Sequence, residues 1–144
     1  MLRGFWDELN TPTDYYDDPY GGLTNQISHV ALGAFLFGFL CVMFAAITGE
    51  MPHKVTASAV VIALYGGVIE VWVQRSGIVD ALQDTFFFGA GVTVIASSFT
   101  EFSVGPRGDI LLRLEVQSAF AVLGMIVLSL ALYIIPRAAR KYRE

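Results

Sequence analysis

Charge is scarce in this chain, and so is cysteine. Only 15% of its 144 residues are Asp, Glu, Lys or Arg, while 55% are hydrophobic. A soluble domain carries a larger charged share, about 25%. One cysteine, Cys41, lies inside an apolar run, so an intramolecular disulfide is excluded. No basic stripe is available to track phosphates, which argues against nucleic acid as a partner. No cleavable signal peptide is expected. The first apolar run starts only near Ile27, behind an acidic, aromatic stretch rather than a short basic one. Internal repeats and low-complexity segments are missing as well.

What the chain does have is apolar runs of membrane length. Residues 27–48 carry one histidine and no formal charge; as a helix they extend roughly 33 Å, enough for a hydrocarbon core of about 30 Å. Gly49-Glu50-Met51-Pro52-His53-Lys54 breaks the run, because proline cannot continue the helix and charges seek water. A second run covers 55–74, apolar except for Glu70 near its end. A third covers 81–100 and is free of ionisable groups from Thr85 to Thr100. A full crossing is expected there, with a re-entrant segment as the alternative. The turn signal Gly105-Pro106-Arg107-Gly108 follows. A fourth run, 114–135, is expected to stop at Pro136. The fold class is therefore all-α: a polytopic bundle of four transmembrane helices over 25–136, between an N-terminal segment, 1–24, and a basic tail, 137–144.

Four crossings place both termini on one side together with the 75–80 loop. That side carries Arg3, Arg75, Arg137, Arg140, Lys141 and Arg143, against Lys54, Arg107 and Arg113 on the other. The excess predicts cytoplasmic termini in a cell membrane, and the tail decides it. In the N-terminal segment Leu2, Phe5, Trp6 and Leu9 recur at helical spacing. Two readings stand: a short helix in the headgroup region, and a frayed aromatic lead-in continuing through Tyr15, Tyr16, Asp17-Asp18-Pro19 and Gly21-Gly22.

Ionisable and amide groups within membrane spans are costly, so they need a partner or a purpose. Here they gather at one level. His29 begins span one, Glu70 and Gln74 end span two, and Asp80 and Asp84 begin span three. In a four-crossing topology all five reach the cytoplasmic end. Ala63, Gly67, Glu70 and Gln74 lie on one α-helical face, and Asp80, Asp84 and Gly91 on another, with small residues deeper in. Small residues let helices approach, and polar groups can then pair across the gap. The Gly-Ala-Gly at 89–91 is read as close helix packing.

Each residue also has a plainer reading. Asp80 followed by Gln83 resembles a capping box and so a helix start. Glu70 could do no more than pair with Arg75 or His29 and pin the bundle, and His29 could serve packing alone. Glu50, His53 and Lys54 read as a solvated loop. A metal held by His29, Glu70, Asp80 and Asp84 is chemically conceivable. No HExxH, paired-histidine or cysteine pattern supports it, so neither a metal nor a cofactor is expected.

The same residues resemble a family pattern. Proteins of the VanZ-like family are small, multi-span and membrane-embedded. They show a histidine early in one span, E-x-x-Q near the end of another, and then D-x-x-x-D-x-x-x-N-x-x-G. This chain has His29, Glu70 with Gln74 four rather than three residues on, and Asp80, Asp84 and Gly91 in register; Phe88 stands where the pattern has asparagine. The match spans roughly 26–95. The resemblance implies a link to resistance against teicoplanin-type lipoglycopeptides, without a defined mechanism.

The leading expectation is a non-channel bundle whose polar cluster binds or positions a lipid headgroup or a membrane partner, a second copy included. Catalysis is the less favoured role, since no nucleophile elbow, P-loop or dinucleotide fingerprint is present; paired carboxylates with a histidine leave acid–base work on an amphiphile as an alternative. An accessory subunit and a holin-like pore are the other readings.

Overall fold

The computed structural model describes residues 18–74, 78–104 and 110–141. The amphipathic pattern over 2–9, Arg75, the turn at 105–109 and the last three tail residues lie outside them. Helix α1 spans Pro19–Thr48, α2 spans Lys54–Leu64 and continues as a π-helix, π1, over Tyr65–Val73. Helix α3 spans Ile78–Ser98, and α4 spans Val116–Lys141. Strands β1 (Phe99–Val104) and β2 (Ile110–Leu114) form an antiparallel hairpin between α3 and α4. The architecture is the expected all-α one, with four helices long and apolar enough to cross a membrane. The 21-residue α3 is one of them, at about 1.5 Å per residue long enough for a full crossing.

Three boundaries differ from the sequence reading. Helix α1 begins eight residues early, because Asp18-Pro19 is a helix start and not a lead-in. Asp18 caps the helix, its Oδ1 accepting from the Tyr20 amide at 3.1 Å, and Pro19 takes the first helical position. Proline fits there because that N–H would have no partner anyway. At the far end Gly49 adopts φ 76°, the left-handed cap that lets its N–H reach the Ala45 carbonyl at 2.9 Å. Helix α4 does not stop at Pro136 but runs on to Lys141. A proline forfeits one backbone hydrogen bond, which membrane helices tolerate. The turn after α3 is flanked by strands, in the register Glu101 opposite Arg113 and Val104 opposite Ile110, with an irregularity between Phe99 and Glu101. The Glu115 amide donates to the Ser98 carbonyl at 2.7 Å, tying the start of α4 to the end of α3.

Helix α3 is central and packs on α1, on α2 with π1, and on α4. Its crossing with α1 is backbone against backbone. A Cβ built on Gly91 would lie 1.9 Å from the Val30 carbonyl oxygen, and one on Gly33 would lie 2.1 Å from that of Phe88. Hydrogen is therefore the largest substituent either position accepts. The buried apolar centre is Phe37, Cys41, Tyr65, Phe88 and Val92. Outward the polarity is inverted relative to a soluble bundle: Phe35, Ile47, Leu132 and Trp72 are each more than 60% exposed. Apolar surface on this scale is stable against hydrocarbon and costly against water. Trp72 and Tyr20 sit near the helix ends that share the termini side, and amphipathic rings at span ends favour a membrane interface.

Candidate functional site

Three spans bring their polar residues together at one level. His29 is ten residues into α1, Glu70 three residues from the end of π1, and Asp84 six residues into α3, so each is within about 15 Å of the termini-side end of its helix. One ligand-type atom from each of the three lies within 4.8 Å of those of the other two. Glu70 is fully buried, Asp84 is 4% exposed, and His29 is the most accessible member, its side chain 12% exposed. His29 Nδ1 stands 3.4 Å from Asp84 Oδ1.

Two residues that the sequence reading did not single out hold this centre in place. Gln26, 1% exposed, donates from Nε2 to Asp84 Oδ1 at 2.7 Å. It lies one turn before His29, so both project from α1 toward α3. The signal was present, since a glutamine inside a span is as costly as a histidine. An apolar run counted from Ile27 leaves it just outside the span. Tyr65 donates its hydroxyl to Glu70 Oε1. Its ring stacks on Phe88, centroids 3.9 Å apart and planes 4° from parallel, and meets the His29 ring edge-on at 6.0 Å. Phe88, where the family pattern has asparagine, thus supports the ring that holds Glu70.

The π winding explains the Tyr65–Glu70 contact and corrects the expected helix face. In an α-helix, residues five apart point about 140° away from each other. With i→i+5 hydrogen bonding, the later residue comes to lie above the earlier one. Tyr65 and Glu70 are consequently both buried, while Ala63 and Gly67, expected on Glu70's face, are exposed. Gly66 takes the inward place against Thr85, whose Oγ1 would lie 2.7 Å from an added Cβ. No sequence periodicity announces a nine-residue π-helix, and an α-based wheel misplaces everything beyond its start.

Of the five expected site residues, His29, Glu70 and Asp84 meet. Asp80 lies in the first turn of α3 and is exposed, and it is not in the three-residue group. It is also the third helical residue and not the cap that a capping box would make it. Gln74 is half-buried at the end of π1, with its backbone amide donating to the Ile69 carbonyl at 2.8 Å. Among the described residues no hydrogen bond joins its side chain to the centre.

Chemically, the described residues bring together two buried carboxylates, an imidazole, and at least one donor on each carboxylate. Hydrocarbon outside the bundle screens like charges poorly, so two buried carboxylates favour a proton or a cation close by. Imidazole with carboxylates suits divalent ions of the first transition row. No family model matches this chain, and neither a curated protein nor a solved structure is similar to it at a significant level.

Proposed function

We propose that this chain is a membrane-embedded binding protein whose His29–Glu70–Asp84 centre holds positive charge, and through it positions a lipid headgroup or a membrane partner at the cytoplasmic end of the bundle. One observation carries the reading: an imidazole and two carboxylates from three different spans lie within 4.8 Å of one another. Pinning three helices together is possible with apolar contacts, at lower desolvation cost than with two buried acids. The cytoplasmic orientation belongs to the proposal and rests on the Lys and Arg distribution. So does the VanZ-like resemblance: three of its motif residues, His29, Glu70 and Asp84, are the three that meet.

The test uses native mass spectrometry of gently extracted protein, comparing wild type with Glu70→Gln and Asp84→Asn. These near-isosteric changes remove charge without opening a cavity. Wild type is expected to retain lipid or protein adducts that both variants lose while keeping their helical content. Equal retention in all three would leave the centre a structural pin, as in an accessory subunit.

A further inference from the structure

We infer that the positive charge at this centre is a divalent first-row transition ion, of which Zn²⁺ or Mn²⁺ is typical, held by His29 Nδ1 and one carboxylate oxygen each from Glu70 and Asp84. The inference rests on the reading of the cluster as a binding centre, and it names what is bound.

Geometry is the first argument. Ligand atoms about 2.0–2.1 Å from a tetrahedral ion stand about 3.4 Å from one another. His29 Nδ1 and Asp84 Oδ1 already have that spacing, 3.4 Å. The whole group, within 4.8 Å, closes on an ion by side-chain movements of about an ångström, with the helices left where they are. Among the described residues Nδ1 is buried without a hydrogen bond; in the tautomer that carries its proton on Nε2, its lone pair and the carboxylate oxygen face each other with no donor between them. An ion there satisfies both.

The second argument is independent of the three ligands. Gln26 is 99% buried, and while its amide nitrogen is spent on Asp84, its Oε1 is buried with no hydrogen-bond partner among the described residues. A buried amide oxygen left unmet costs about 1–3 kcal/mol. Beside a metal centre it can accept from a water on the ion or ligate the ion directly. A proton shared between His29 and Asp84 offers nothing to this oxygen.

The surroundings match what metal sites require of their outer contacts. Gln26 orients Asp84 and Tyr65 orients Glu70, the pattern of donors that fix ligating carboxylates. Three compact ligands with an imidazole among them do not suit Ca²⁺, which takes six to eight oxygens. They leave at least one coordination position open for water or a headgroup phosphate oxygen, which is how an anionic headgroup could be held beside two acids.

The experiment takes the full-length chain, carrying an affinity tag without histidines, purified in mild detergent and stripped with chelator. Zn²⁺ and Co²⁺ are the probes. Wild type is expected to bind about one ion per chain by elemental analysis and to show the visible bands of low-coordinate Co²⁺. Both signals should disappear in His29→Ala and Glu70→Gln. Tyr65→Phe, which keeps all three ligands, should bind about 10–100-fold more weakly. Gln26→Leu is the second oriented variant, for use if Tyr65→Phe does not fold. Absence of stoichiometric binding in wild type overturns the inference, as does wild-type binding by the His29 and Glu70 variants, which would place the ion elsewhere. Charge-dependent adduct retention without any metal sinks this inference and leaves the binding reading standing; loss of both removes both.

Discussion

Gly91→Ala probes the crossing on which the whole centre depends. The new methyl would sit 1.9 Å from the Val30 carbonyl oxygen and 2.8 Å from the Ala34 nitrogen. Carbon against a carbonyl oxygen needs about 3.3 Å, so α1 and α3 must part by more than an ångström at this level. Both neighbours are backbone, and no side-chain rotation relieves the clash. Overpacking of this kind costs about 1–3 kcal/mol. The same separation would stretch the Gln26–Asp84 hydrogen bond from 2.7 Å beyond hydrogen-bonding range. The assay is reversible unfolding in mixed micelles followed by circular dichroism, with Gly124→Ala as control. Gly124 has open space around its missing Cβ, so alanine there is neutral or stabilising by up to about 1 kcal/mol. If Gly91→Ala is as stable as Gly124→Ala, the close crossing is not a feature of the folded protein and the argument for the centre fails with it.

Further predictions follow from the same geometry. Tyr65→Phe removes the hydroxyl donor from buried Glu70 and should lower stability by about 1–3 kcal/mol, measured by the same unfolding assay; Tyr20→Phe, at a 58% exposed ring, is a reference expected to be much milder. Phe88→Asn loses the stack under Tyr65 and should destabilise by on the order of 3 kcal/mol; an unchanged or raised melting temperature would show that the amide finds partners in the centre. In a Cys41→Ser background, Glu50→Cys should react with a membrane-impermeant maleimide on intact cells, while a C-terminal tag should be reached only after lysis. The reverse pattern would overturn the cytoplasmic assignment of the termini. Cys41 itself, 4% exposed, should resist the same reagent until the bundle is unfolded.

Much was legible in the sequence because a membrane imposes few, strong rules. Run length and missing charge identify the four spans, since backbone groups in hydrocarbon must be paired within a helix. Charge scarcity within the spans makes His29, Glu70 and Asp84 conspicuous, and span topology alone puts them at one end. Close packing at Gly91 followed from its register with Asp84. The residues that escaped notice lay where local rules competed: Gln26 just ahead of a span started too late, and Gly33 among apolar neighbours that gave no sign of what faced it.

The three-dimensional arrangement decided everything that depends on rotation about a helix axis. Sequence fixes how far along a span a residue lies, because rise per residue is nearly constant. It does not fix direction once winding changes, and π1 turns Tyr65 and Glu70 inward while leaving Ala63 and Gly67 outside. Whether three polar groups at one depth also meet at one point depends on how closely the helices cross, and here two glycines set against facing carbonyls determine it.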